Sequence, residues 1–305
     1  MASTTPTVDE PVEAGSNMPP QSPNSVRIPN TRRITDMPQL GLGTYLTLPE
    51  WTFWACTSAL NAGYRHIDTA QYYGNEAQVG EAIRKSWLNR QDIFVTTKIL
   101  EPGDTPEATY NKCIESVKKI DQCGRCGRCG WVDCFLIHSP NVDDAKTKEM
   151  WLALERLYNE GKARAIGVSN FGKGQIEGLK GVGNVWPPHV NQIELHPWHQ
   201  QREIVQYCRD NGIVVQAYSP LARNEKAGNR TLCDIAARNG VLPSQVLVRW
   251  SVQKGWVSLP KSHHPGRIRE NGDVFGFELS PEDEALLDGL DQGAAGCLVH
   301  TVVNE

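Results

Sequence analysis

With 305 residues, 39% of them hydrophobic and 22% charged, the chain has ordinary globular usage and enough apolar side chains for a large core. A formal net charge of −4, with acids and bases interspersed, speaks against nucleic acid as the main partner, because such proteins carry a basic stripe. No apolar run reaches the about 18 residues that a membrane span needs. The N-terminus lacks a basic region followed by an apolar stretch, and nine unevenly spaced cysteines do not form a disulfide framework, so a reducing, cytoplasmic setting is expected.

Residues 1–24 are rich in Pro, Ser, Thr and Asn and too poor in large apolar side chains to offset their ordering entropy; they are expected to form a disordered tail. Residues 25–305 then read as one domain. Between Val26 and Pro38, apolar–polar alternation around Asn30-Thr31 predicts a small hairpin. After it, eight short β-rich runs recur: Leu40–Gly43, His66–Asp68, Ile93–Thr96, Cys134–Ile137, Ala165–Val168, Val190–Ile193, Ile213–Gln216 and Trp256–Leu259. Helical stretches separate most of them. Thr105-Pro106-Glu107 reads as an N-cap with Pro at the first helical position, ahead of an amphipathic Ala108 to Ile120, and Ser280-Pro281-Glu282 repeats the device. Strands alternating with helices imply parallel pairing with right-handed crossovers. Eight units in roughly 250 residues predict an α/β chain folded as a closed (β/α)8 TIM barrel. An open doubly wound sheet is disfavoured, because Gly41-Leu42-Gly43 stops short of a dinucleotide-binding glycine loop.

Chemistry in a barrel gathers where strands end at the C-terminal face. Here each apolar run ends in polar residues: Thr44, Asp68, Lys98, His138, Ser169-Asn170, Gln192, Tyr218-Ser219 and Lys261-Ser262. Taken singly, Asp68 with Lys98 can be read as a structural ion pair, His138 as a satisfied core histidine and Tyr73 as packing. Eight polar strand ends in succession point instead to one convergent mouth.

The segment Gly63 to Ala70, followed by Tyr73-Gly74-Asn75-Glu76, resembles the aldo-keto reductase signature. Leu136 to Pro140, Gly167 to Phe171, Asn191 to Glu194, Tyr218 to Leu221 and Pro260-Lys261-Ser262 resemble the family's later motifs, in its order, over about residues 39–291. The resemblance implies a monomeric barrel that reduces a small carbonyl substrate with NADPH in preference to NADH and needs no metal. It also implies a catalytic tetrad of Asp68, Tyr73, Lys98 and His138.

Those residue types suit the reaction. Hydride delivery leaves charge on the carbonyl oxygen, which needs a proton donor. Tyr73, as an ordinary phenol, is a poor donor at neutral pH; a buried Lys98 ammonium, kept charged by Asp68, is expected to acidify it. His138 would hold the carbonyl oxygen. By resemblance, Ser169, Asn170 and Gln192 hold the nicotinamide carboxamide and Tyr218 stacks on its ring. Thr44, Asp68, Ser219 and Leu221 complete the inner cofactor contacts. Lys261, Ser262, Arg267, Glu270 and Asn271 take the adenosine end, where two cations favour a 2′-phosphate. His263 and His264 depart from the family's usual residues there.

The substrate pocket is expected to draw on Tyr45, Trp51, His138, Ser139 and Trp198, an aromatic lining suited to apolar carbonyl compounds. Two departures stand out. The insertion Cys123 to Gly130 carries three cysteines at metal-like spacing but precedes its strand, away from the mouth, and reads as a surface loop. The short stretch from Ala222 to Arg230 leaves the cleft more open than a long covering loop would. Two rival readings remain. One is a regulatory subunit that keeps fold and cofactor without catalysis, which an intact tetrad disfavours. The other is a metal-dependent hydrolase, which would want more His and Asp at strand ends.

Overall fold

The computed structural model describes residues 24–122, 130–140 and 143–299. The expected disordered tail up to residue 23 and the cysteines of the 123–130 insertion lie outside the described residues. A hairpin of β1 (Ser25–Arg27) and β2 (Asp36–Pro38) opens the fold, paired antiparallel with Val26 opposite Met37. Eight parallel strands follow: β3 (Leu42–Gly43), β4 (His66–Asp68), β5 (Phe94–Ile99), β6 (Val132–Ile137), β7 (Ala163–Ser169), β8 (Val190–Glu194), β9 (Val214–Tyr218) and β10 (Val257–Leu259). Each pairs with its sequence neighbour, and the ends meet through bridges from Leu40 to Ser258 and from Gly43 to Lys261. The sheet is therefore a closed (β/α)8 barrel, without free edges.

Helices cover it: α1 (Pro49–Asn61), α2 (Glu76–Lys85), α3 (Pro106–Ile120), α4 (Asp144–Asn159), α5 (Lys173–Glu177), α6 (Arg202–Asp210), α7 (Arg230–Asn239), α8 (Pro243–Gln253), α9 (Pro265–Gly272) and α10 (Pro281–Asp288). The expected caps are present, since the Thr105 side chain accepts from Ala108 N and that of Ser280 from Asp283 N. α5 and the first turns of α9 carry no strong apolar period, which is why the sequence marks them weakly.

Strand alternation divides the core in two. Phe135, Ile137, Ile166, Val168, Ile193 and Val215 face outward and pack under the helices with Trp151 and Trp250. Phe94, Cys134, Leu136, Val190, Val214, Val257 and Leu259 face inward, and the hairpin adds Ile28 and Met37 to that cluster as the floor of the barrel. The chemistry is thereby left to the opposite, C-terminal face.

Helix packing is close where α2 crosses the end of α3: a Cβ on Gly80 would run into the Lys119 carbonyl oxygen and lie 2.7 Å from that of Ile120. Backbone cannot swing aside as a side chain can. Gly80→Ala is predicted to destabilise the fold by about 1–3 kcal/mol, read as a lower urea midpoint; an unchanged midpoint would show that the two helices slide apart freely.

Candidate active site

The ends of β4, β5 and β6 bring Asp68, Lys98 and His138 to one mouth, and the 3-10 turn Gln71–Tyr73 after β4 carries Tyr73 over them. Lys98 is fully buried. An ammonium has three donors, and each has a partner: Asp68 Oδ1 at 2.7 Å, the Thr69 carbonyl at 3.0 Å and Tyr73 Oη at 3.3 Å. Asp68 Oδ2 accepts from Gln192 Nε2 at 2.7 Å. The His138 ring stands edge-on to Tyr73, centroids 5.5 Å apart, and its buried Nδ1 has no partner among the described residues.

The turn that presents Tyr73 is held from behind by Asn75, which is fully buried. Asn75 Oδ1 accepts from Thr69 Oγ1 at 2.7 Å, and Nδ2 donates to the carbonyls of Thr44 and Thr47. Thr44 Oγ1 also donates to the Asp68 carbonyl. Thr44 is thus spent mainly on tying the β3 and β4 ends together. Asn75 carried no role in the sequence reading; only its place inside the matched motif could have marked it.

Electrostatics corrects one expectation. Burial first, then the Asp68 carboxylate with Tyr218 and Tyr45, holds the Tyr73 phenol well above its ordinary value, not below it. The physical reason is that burial penalises the phenolate, and the Asp68 carboxylate beside Lys98 opposes part of the ammonium's pull. Burial also lowers Lys98, against the pull of Asp68, and raises Asp68, against Lys98 and Gln192. Burial and the Lys98 charge push His138 down to about 3, so the ring is neutral at neutral pH.

On the next strands, Ser169, Asn170, Gln192 and Tyr218 form a connected set. Tyr218 Oη donates to Asn170 Oδ1 at 2.9 Å, Asn170 Nδ2 to the His138 carbonyl at 3.0 Å, and Ser169 Oγ to the Gln192 carbonyl at 2.8 Å. Asn170 and Ser219 sit in the left-handed region, with φ of 65° and 50°. Such backbone, here just past the ends of β7 and β9, clusters at ligand sites. Leu221 is half-buried and leads into a short 3-10 turn, Ala222–Asn224, before α7. Ser262 Oγ accepts from His264 N, and His264 caps α9 by accepting from Arg267 N. Asn271 is buried, whereas Arg267 and Glu270 are exposed. Neither Lys261 nor Arg267 has an ion-pair partner among the described residues.

Of the expected pocket residues, Tyr45 is partly exposed with its ring 5.1 Å from that of Tyr73, and Trp51 is half exposed on the first turn of α1. Ser139 is buried beside His138. Trp198 differs: it is 1% exposed and packed in the outer core, so its ring is structural filling and not an open wall. Among the described residues, no group of three His, Cys, Asp or Glu is placed to hold a metal ion, and no helix is long and apolar enough to cross a membrane.

The Aldo/keto reductase family model matches residues 40–292. The chain belongs to the aldo/keto reductase family. It is 41% identical over 277 residues to morphine 6-dehydrogenase of Pseudomonas putida, covering 87% of this chain and 91% of that one. Against glyoxal reductase of Bacillus subtilis the identity is 37% over 276 residues, covering 90% and 95%. The crystal structure of an aldo/keto reductase from Brucella melitensis superposes with a TM-score of 0.80 at 37% identity, covering 88% of this chain and 99% of that one. As an aldo/keto reductase the chain is an oxidoreductase of the (β/α)8 type.

Two neutral buried histidines at this reductase's centre link its stability to pH. His66 is pushed down to about 3, by burial first, and His138 likewise. Between about 3 and the ordinary 6.5, the unfolded chain binds protons that the folded one refuses, so stability falls as the pH drops through that window. His66→Gln is predicted to flatten the fall of the urea midpoint between pH 6.5 and pH 4. A slope equal to the wild type's would mean that His66 accepts a proton in the fold.

Proposed function

We propose that this chain reduces an aldehyde or ketone to an alcohol with hydride from NADPH, Tyr73 acting as the general acid. The observation that carries the proposal is the buried Lys98 ammonium with its three partners, one of them Tyr73 Oη. Because Lys98 donates to that oxygen, the phenol's own hydrogen is free for another acceptor. Held well above its ordinary value, Tyr73 stays protonated through neutral pH and keeps its proton until an oxygen with growing negative charge stands beside it. As Tyr73 gives the proton up, the adjacent Lys98 stabilises the charge left behind. Neutral His138 can donate a hydrogen bond to the same carbonyl oxygen and orient it.

The dinucleotide, when bound, supplies the hydride. The residues present fit it. Gln192 Oε1 and His138 Nδ1 have no partner among the described residues, and Asn170, Ser169 and Tyr218 surround them as a hydrogen-bonded set. Lys261 and Arg267, without carboxylate partners, sit before and within the first turn of α9, as a 2′-phosphate would require. This supports NADPH over NADH. The exposed Tyr45 and Tyr72, whose rings stand beside those of Tyr73 and His138, favour an apolar carbonyl substrate. Relatives named for glyoxal reduction and morphine 6-dehydrogenation accord with carbonyl–alcohol interconversion.

Tyr73→Phe is predicted to lower NADPH-dependent reduction of 4-nitrobenzaldehyde by on the order of 10²–10⁴-fold while NADPH still binds, read by fluorescence titration. Full turnover in that variant would remove Tyr73 from the reaction. Lys98→Met should be similarly inactive; an active Lys98→Met enzyme with only a displaced pH profile would reduce Lys98 to a tuning role.

A further inference from the structure

The interior of the barrel is not wholly apolar. His66, Thr96, Gln216 and Gln192 point inward from β4, β5, β9 and β8, and each is at most 2% exposed. Hydrogen bonds join them in a line. Pro38 O lies 3.3 Å from His66 Nδ1, His66 Nε2 lies 2.9 Å from Thr96 Oγ1, and Thr96 Oγ1 lies 3.4 Å from Gln216 Nε2. Gln216 Oε1 lies 2.7 Å from Gln192 Nε2, which also donates to Asp68 Oδ2 at 2.7 Å. The line runs from the hairpin floor to the carboxylate that pairs with Lys98.

The direction of every bond follows from the two ends separately. At the floor, a proline carbonyl can only accept, so His66 carries its hydrogen on Nδ1. Burial pushes His66 down to about 3, so the ring is neutral and Nε2 is an acceptor. Thr96 must then donate to His66, which leaves its oxygen free to accept from Gln216 Nε2. At the mouth, Asp68 is the acceptor for Lys98 and needs a donor on Oδ2, so Gln192 turns its nitrogen there. The second hydrogen of that nitrogen meets Gln216 Oε1, and Gln216 therefore turns its own nitrogen downward, to Thr96 Oγ1 and to Met37 Sδ at 3.0 Å. The two derivations agree where they meet. Reversing the Gln192 amide would set oxygen against oxygen at 2.7 Å, and reversing that of Gln216 would set nitrogen against nitrogen at 2.7 Å. With both Gln192 hydrogens used, Gln192 Oε1 is left as an acceptor, and no hydrogen bond reaches it among the described residues.

We propose that His66, Thr96 and Gln216 are positioning residues, a one-way hydrogen-bond chain started by the Pro38 carbonyl that fixes Gln192 with its nitrogen on Asp68 and its oxygen presented to the ligand. The clause about the ligand rests on the reductase reading above; the chain's direction does not. The ligand group that suits this oxygen is an N–H donor, as a carboxamide has, and the floor hairpin sets that preference from the far end of the barrel.

The test uses the full ¹⁵N-labelled chain, comparing wild type with Thr96→Val, which keeps the side-chain shape, and Thr96→Ser, which restores the hydroxyl. NMR of the His66 ring nitrogens should show the Nδ1–H tautomer in the wild type and both variants, because Pro38 fixes it, with the Nε2 signal displaced in Thr96→Val alone by loss of the Thr96 hydrogen bond. NADPH affinity should fall about tenfold in Thr96→Val, the scale of one lost hydrogen bond, and recover in Thr96→Ser. An Nε2–H or protonated ring in the wild type overturns the chain, whether or not Thr96→Val folds. Equal NADPH affinity in wild type and Thr96→Val overturns the positioning role. A wild type that turns over no carbonyl compound would count against the reductase reading alone, because the tautomer is read without turnover.

Discussion

The structure is organised around one ammonium group taken wholly out of water. Burying Lys98 costs on the order of several kcal/mol even after relaxation, and the fold tolerates it only because Asp68, the Thr69 carbonyl and Tyr73 Oη take all three of its hydrogens. That requirement reaches outward. Asp68 must remain an acceptor, so Gln192 must give it a donor; Tyr73 must stay in place, so Asn75 must clamp the turn before α2. A phenol, an ammonium and a carboxylate are thereby locked to one geometry before any ligand arrives, the preorganisation on which electrostatic catalysis depends.

The barrel makes that convergence possible. Parallel strands end together, so residues far apart in sequence, such as Asp68 and Gln192, meet across the mouth at 2.7 Å. The opposite end is closed by Ile28 and Met37 of the hairpin, which removes water from beneath the site. The rim is fixed in turn by a second buried carboxylate. Glu194, at the end of β8, accepts from His196 Nε2, from the amides of Leu298 and Val299 and from Cys297 Sγ, which holds the last described residues against the strand that pairs with Tyr218. Despite the burial that would raise it, these hydrogen bonds with His196 and Leu298 foremost keep Glu194 below the usual carboxylate range.

Much of this was legible in the residues. Alternating short apolar runs and helical stretches marked all eight barrel strands, and the polar residue at each run's end marked the mouth, because a strand's direction fixes where its last side chain lies. What alternation could not supply was depth. Trp198 follows the β8 end and looked like a pocket wall, yet the loop folds it under the C-terminal segment, with its carbonyl accepting from Gln292 N. The acidified phenol was expected from Lys98 alone; it fails because burial penalises the phenolate and Asp68, held 2.7 Å from Lys98, opposes part of the ammonium's pull. Gln216 did give a signal, one amide in the apolar run Val214-Val215-Gln216-Ala217, but its meaning needed the strand order that places it beside Gln192.

A polar seam through a barrel core looks at first like a defect in packing. Leucine or valine at Thr96 and Gln216 would bury more apolar surface and ask nothing of their neighbours. An apolar layer, however, has no direction: it can fill space beneath Asp68 but cannot choose which end of the Gln192 amide faces it. Each buried amide or hydroxyl left unpaired costs about 1–3 kcal/mol, so a line of them in which every donor meets an acceptor has one satisfied arrangement and many penalised ones. The seam converts that penalty into orientation, and it does so from the hairpin floor, where Pro38 offers a carbonyl that cannot change its role.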